Sequence, residues 1–275
     1  MTWGKSHQPV LLIFFCSGLF RLVEFILSTV YSISKACTVL CGPYPKVFKS
    51  ASMIPQSHHP GQLALARIRG RRIECTPERA ARIRQVLARR QSDLTVILAN
   101  IHDPHNVSAI YRSCDAFGVA RVHLYYTDTA FPALGHKTSG SALKWVETIR
   151  YNDAAVMVAA LRGSIPVRNG ASKGYQILAT SLSPWAVPLV ACDLTRPTAI
   201  VFGNEHRGVD PELIELVDHE MCIPMQGMVQ SLNVSAAAAV ALFEAWRQRH
   251  ARGFYDAPAY PLTEFETFVT TWCAK

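Results

Sequence analysis

Three loop segments hold most of the residues that could do chemistry. Segment 223–236 (IPMQGMVQSLNVSA) passes from a short apolar run through a polar, glycine-containing loop into an alanine-rich helix. Backbone amides and small side chains therefore collect at a helix N-terminus, where α/β proteins hold polar ligands. Segment 202–211 (FGNEHRGVDP) puts two glycines around a dense charge cluster. Glycine lets a backbone approach a ligand closely, and Glu205 could bind a polar ligand group or secure its loop by accepting from backbone amides. Segment 100–112 (NIHDPHNVSAIYR) leads into a helix expected over Asn106 to Ala116. Asn106 opens that helix and Arg112 lies off its apolar stripe, so both can face a site beside a sheet.

Each of these residues also has a plainer reading. An arginine on a helix is more often a solvated charge, and Ser231 and Asn233 are natural caps for the last long helix. Ala236 to Ala239 need only helix propensity and close packing. His102 and His105 have no carboxylate or cysteine pattern near them that would suggest a metal, and they read as polar loop residues.

The elements that would position these loops alternate. Strands are expected at Leu94 to Ala99, Arg121 to Tyr126, Trp145 to Tyr151, Tyr175 to Ser181, Thr198 to Phe202 and Met221 to Met225. Helices are expected at Asn152 to Arg162, from Pro211 with Asp210 as cap to about Val217, and over Val234 to His250. Strands alternating with helices imply an α/β fold, a mostly parallel sheet covered by helices on both faces. The three loops all follow strands and gather at the carboxyl edge of that sheet.

The chain has 275 residues and is 49% hydrophobic, which is ample for a packed core. A net charge of +8 and a pI near 9.2 make nucleic acid or an anionic surface a plausible partner. Eight cysteines are scattered without a C-x-x-C pair, so neither a zinc knuckle nor a disulfide framework is indicated and the compartment reads as reducing. No G-x-G-x-x-G follows a strand, and segment 135–138 (GHKT) lacks the Gly-Lys pair of a P-loop, which argues against an oxidoreductase or an NTPase.

Val10 to Val30 is apolar but is interrupted by Arg21 and Glu24, whereas a spanning helix needs about 20 mostly apolar residues. It reads as a membrane-associated segment, a buried accessory helix, or residues upstream of the true start. The last is preferred, because a proline-rich linker follows from Gly42 to Gly61. Nine arginines fall between Arg67 and Arg90. Thr76 as N-cap, Pro77 at the first position and Glu78 in the first turn predict a helix to about Arg90. Arg79, Arg82, Arg89 and Arg90 would form a basic edge suited to a phosphate backbone, against the plainer reading of a solvated amphipathic face. Leu262 to Ala274 carries apolar residues at helical spacing and could form a small packing helix.

The segments NVSAIYR (106–112), VFGNEHRG (201–208) and IPMQGMVQSLNVS (223–235), in this order and spacing, resemble the three signature motifs of the SpoU (TrmH) family of RNA ribose 2′-O-methyltransferases. The resemblance covers roughly Thr76 to Phe254, and Thr76 to Gln91 looks like the short basic helix that opens the tRNA-specific branch. It implies an α/β fold with a deep C-terminal trefoil knot and a homodimer, while the cysteine pattern leads to the expectation of a cytoplasmic setting and no metal. It implies S-adenosylmethionine held by Thr180, Gly203, Gly208, Ile223, Met225, Ser231 and Leu232, with Asn106, Arg112, Glu205 and Asn233 on the reaction side. Transfer of methyl to a guanosine ribose of tRNA, in the D-loop, is the implied activity. Ribosomal RNA as substrate and a catalytically silent RNA-binding module are the alternatives. The expected organisation is an extension and linker over 1–75, a methyltransferase domain over 76–252, and a short tail or helix over 253–275.

Overall fold

The computed structural model describes residues 66–68, 71–73, 75–132, 141–163, 165–166 and 172–275. The chain divides into two units, Met1–Gly61 and Gln62–Lys275, and every described residue belongs to the second. The apolar run Val10 to Val30 lies outside the described residues. Among the described residues no helix is long and apolar enough to cross a membrane.

Seven strands form one parallel sheet. In chain order they are β3 (Gln91–Ala99), β4 (Val119–Tyr125), β5 (Glu147–Tyr151), β8 (Gln176–Thr180), β9 (Val187–Pro188), β10 (Thr198–Phe202) and β11 (His219–Cys222). Their spatial order is β5-β4-β3-β10-β8-β11-β9, and every pairing is parallel. Two short antiparallel hairpins lie outside it, β1 (Ala66–Ile68) with β2 (Arg71–Ile73), and β6 (Ile165–Pro166) with β7 (Ser172–Lys173).

Successive strand residues point to opposite faces, and both faces here are covered. Val96 and Leu98 of β3 pack under helices α2 (Pro104–Ala116) and α5 (Val234–Ala251), with Ile110, Tyr111, Ala238 and Leu242. Ile97 and Ala99, one residue out of phase, pack under α3 (Ala154–Arg162) and the short α4 (Pro211–Ile214). This accounts for the near-continuous apolar character of β3. Alanines on the inner side of α5 let it approach the sheet and α2 closely.

The expected helix over Asn106 to Ala116 starts earlier than predicted. Asp103 is its N-cap, accepting from the His105 amide at 2.8 Å, and Pro104 is its first residue. Asn106 is thereby moved into the first turn. Asp210 precedes α4 as expected but makes no side-chain capping bond. The strand expected over Trp145 to Tyr151 begins only at Glu147, after a 3-10 turn over Ala142–Lys144.

The predicted basic helix is α1 (Pro77–Leu87), capped by Thr76 through the Arg79 amide at 3.3 Å. It packs against α6 (Leu262–Cys273) in a satellite core of Ile83, Leu87, Phe265, Val269 and Trp272. The Arg84 guanidinium crosses to the Glu266 carboxylate as a two-pronged pair at 2.6 and 2.7 Å. Arg79, Arg82 and Arg89 are exposed. Arg90 is not, which corrects its expected place on the basic edge. It is 1% exposed, donates to the Val119 carbonyl at 2.7 Å, pairs with Asp115 and lies over the Trp272 ring.

Arg249, fully buried near the end of α5, pairs with Asp93 at the start of β3. It also donates to the carbonyls of Leu194 and Arg196, each at 2.9 Å. Removing one member of a buried pair strands the other charge. Asp93→Ala is therefore expected to lower the free energy of unfolding by about 3 to 5 kcal/mol, read as a shift in the urea midpoint.

Candidate active site

The loops after β3 and β10 meet at one carboxylate. Glu205 accepts from the backbone amides of His102 and Asp103 at 3.0 and 3.3 Å, and from the Asn106 side-chain amide at 2.8 Å. Burial alone would raise its pKa. The bonds from Asn106, His102 and Asp103 outweigh burial and hold the carboxyl below its usual range. Glu205 is therefore ionised at neutral pH and can only accept.

That fixes the direction of a longer chain of hydrogen bonds. With Asn106 Nδ2 turned to Glu205, its Oδ1 accepts from Asn233 Nδ2 at 3.1 Å. Asn233 Oδ1 in turn accepts from the Ser235 amide at 2.8 Å and the Ser235 hydroxyl at 2.6 Å. Asn233 is thus the cap of α5 as well as the link from the third loop to the other two, whereas Ser231 makes no capping bond. The side chains of Arg112, His102, His105 and Thr180 stand apart from this chain of bonds in different ways. Arg112 is exposed on α2 and enters no ion pair among the described residues, and no hydrogen bond joins it to Glu205, Asn106 or Asn233. His102 and His105 are exposed, and among the described residues no cluster could hold a metal ion. Thr180 donates to the Val201 carbonyl at 2.9 Å, tying the end of β8 to β10.

The second loop is shaped by its glycines. A Cβ on Gly203 would come within 2.2 Å of the Gly208 backbone, so only glycine lets the loop close on itself. Gly208 has φ +75°, a left-handed conformation that glycine adopts without strain. Asn204 and Gly208 exchange backbone bonds at 2.8 and 2.9 Å, and this holds Glu205 at the tip.

Strands β8, β10 and β11 are neighbours, so Thr180, Gly203 and Ile223 emerge side by side. Ile223 and Met225 are half-buried, Ser231 is exposed and Leu232 is 38% exposed.

Sequence reasoning missed a second network behind the first. Asn100, Thr127, Asn204 and Asp210 are joined by side-chain hydrogen bonds of 2.7 to 3.0 Å. The available signal was an asparagine directly after a strand, a position where this residue tolerates a left-handed backbone.

Residues 93–243 match the SpoU rRNA Methylase family. The tRNA (guanosine(18)-2'-O)-methyltransferase of Thermus thermophilus is 43% identical over 202 residues, covering 74% of this chain and 99% of that protein. The crystal structure of the TrmH/SpoU tRNA modifying enzyme of A. aeolicus superposes with a TM-score of 0.64 at 36% identity, covering 72% of this chain and 95% of that one. The SpoU methyltransferase AviRb of Streptomyces viridochromogenes, solved with the cofactor AdoMet, superposes with a TM-score of 0.51 at 26% identity, covering 60% and 61%. With the three motif loops brought together at the carboxyl edge of a seven-stranded parallel sheet, and with these similarities along most of its described length, the chain belongs to the SpoU methylase family.

Proposed function

We propose that this protein transfers a methyl group from S-adenosylmethionine to the ribose 2′-hydroxyl of a guanosine in tRNA, the D-loop guanosine. The observation that carries the reading is the hydrogen-bonded chain Glu205–Asn106–Asn233, which closes the three motif loops into one site. The name of the T. thermophilus relative favours tRNA over ribosomal RNA.

The residues present fit the cofactor. Its apolar parts match Ile223, Met225 and Leu232, its polar edges match Ser231 and the peptide groups of 223–232, and Gly208 leaves open space for a close approach. Thr180 and Gly203 frame the same strand ends. When bound, S-adenosylmethionine supplies a methyl group on a positively charged sulfur, already activated toward a nucleophile.

The remaining task falls to this chain. A ribose hydroxyl is a weak nucleophile until its developing charge is stabilised and it lies in line with the methyl. Arg112 orients the hydroxyl and the neighbouring phosphate and stabilises developing alkoxide. A guanidinium stays protonated in proteins and is a poor base, so charge stabilisation is the role assigned to Arg112. Glu205 is occupied by three donors and acts as the anchor of the site. Asn106 and Asn233 each keep a second amide N–H that can donate to substrate.

The strand order supports a knotted C-terminal half. β10 lies between β3 and β8, and β11 between β8 and β9, so the last two strands each insert between strands laid down earlier, as a knotted C-terminal half requires. A homodimer is favoured by an apolar stripe along α5, where Val240 is 41% and Phe243 50% exposed, with Trp246 and Phe117 against Phe243. Arg79, Arg82 and Arg89 form the remaining basic edge for tRNA. The unit over 76–252 would carry the reaction, the helix after Gly253 buttressing α1, and the setting is cytoplasmic, where tRNA is met.

Three outcomes test this. Arg112→Ala should lower kcat for methyl transfer to a tRNA transcript by about 10²- to 10³-fold with cofactor affinity unchanged by calorimetry; full activity would refute the assignment. Replacing Arg79, Arg82 and Arg89 together by Ala should weaken tRNA binding and flatten its dependence on log salt by roughly 2 to 3. Phe243→Asp should convert dimer to monomer in sedimentation at micromolar concentration, and an unchanged sedimentation coefficient would count against the stripe as interface.

A further inference from the structure

Asn100 stands at the end of β3 with φ 50° and is only 3% exposed. Its polar atoms are all engaged. Its amide donates to the Tyr125 carbonyl at 2.9 Å, which pins it to the end of β4. Its Nδ2 donates to Asp210 Oδ2 at 2.7 Å and to the Thr127 hydroxyl at 3.0 Å, and its Oδ1 accepts from the Thr127 amide at 3.0 Å. Its carbonyl accepts from Asn204 Nδ2 at 2.8 Å. Asn204 Oδ1 then takes the amides of His206 at 2.9 Å and Arg207 at 3.3 Å.

These bonds bracket Glu205. Asn204 precedes it in the chain, and the amides that Glu205 accepts, those of His102 and Asp103, follow Asn100 by two and three residues. The first loop can present those amides only if the chain turns at Asn100 through its left-handed conformation. On the other side, Asp210 closes the second loop, with Arg207 Nε 3.3 Å from its Oδ1.

We propose that Asn100, gripped by Asp210 and Thr127, is a positioning residue for the reaction: it sets the turn that aims the His102 and Asp103 amides at Glu205, and through Glu205 it fixes Asn106 and Asn233. Asn100 touches no substrate in this account. The proposal rests on the reading of Glu205, Asn106 and Asn233 given above.

The test separates side chain from backbone. Asn100→Gly keeps access to positive φ and removes the grip, and it should lower kcat on the order of 10-fold, since small misplacements of reacting groups are costly in rate. The affinity for S-adenosylmethionine should stay close to wild type, while the melting temperature should fall by a few degrees for the lost buried hydrogen bonds. Asn100→Asp sets a second carboxylate against Asp210 and should be slower still. The double variant Asn100→Asp, Asp210→Asn lets donor and acceptor trade places and should recover most of kcat. Wild-type kcat in Asn100→Gly would overturn the proposal. So would a double variant that folds but stays as slow as Asn100→Asp, or a loss of kcat matched by an equal loss of cofactor affinity. Glu205→Ala is measured alongside. If it is fully active, the reading of the site falls and this proposal with it, whereas a slow Glu205→Ala with a normal Asn100→Gly removes this proposal alone.

Discussion

The buried pair of Arg249 and Asp93 sets the position of α5, and the position of α5 sets the third loop. This helix has 18 residues, which at about 1.5 Å per residue spans the sheet from one edge to the other. At its C-terminal end Arg249 is bound to Asp93 and to the Leu194 and Arg196 carbonyls below the amino edge of the sheet. At its N-terminal end Asn233 therefore arrives at the carboxyl edge opposite Asn106. The charge is costly to bury, but each nitrogen of the guanidinium has an acceptor, which limits that cost.

At the carboxyl edge, one ionised group orients the asparagine side chains that join the first and third loops. Asparagine amides can be turned either way without changing their shape, and Glu205 removes that choice because it only accepts. Asn106 and Asn233 then have a single sense, running from Ser235 to Glu205. A site with fixed dipoles does not have to reorganise as charge develops, which is how preorganised groups lower a barrier. Arg112 stands apart as an exposed cation whose charge is not consumed by a partner among the described residues.

Much of this was legible in the residues. The strand over Thr198–Phe202 is read to the residue, since five apolar or β-branched positions end at a glycine. The sequence reading starts the helix over Pro104–Ala116 two residues late, although Asp103 before Pro104 is a good cap followed by a residue suited to the first position. Asn106, a good cap in isolation, drew the boundary to itself. Arg90 is read onto the basic edge beside Arg89, because nothing local distinguishes the two. Its partner Asp115 lies 25 residues away and its stacking partner Trp272 is at the far end of the chain. The grip of Asp210 on Asn100 spans 110 residues and was equally hidden. Local pattern identifies caps, periods and motifs, whereas long-range polar pairing emerges only once the sheet order is known.

That sheet order also has a consequence for the order of assembly. The two neighbours of β8, which are β10 and β11, both come later in the chain. While the ribosome is still producing residues up to Pro197, β3, β4 and β5 can pair, but β8 and β9 have no strand to join. Their edges stay open until Thr198–Phe202 docks on β3 and His219–Cys222 follows. Half of the sheet thus waits on its last two strands, a non-local and slow step that leaves apolar side chains and unpaired strand edges exposed to other chains. The same step brings the loops after β8, β10 and β11 side by side, so the nascent protein cannot assemble this edge before its sheet is complete.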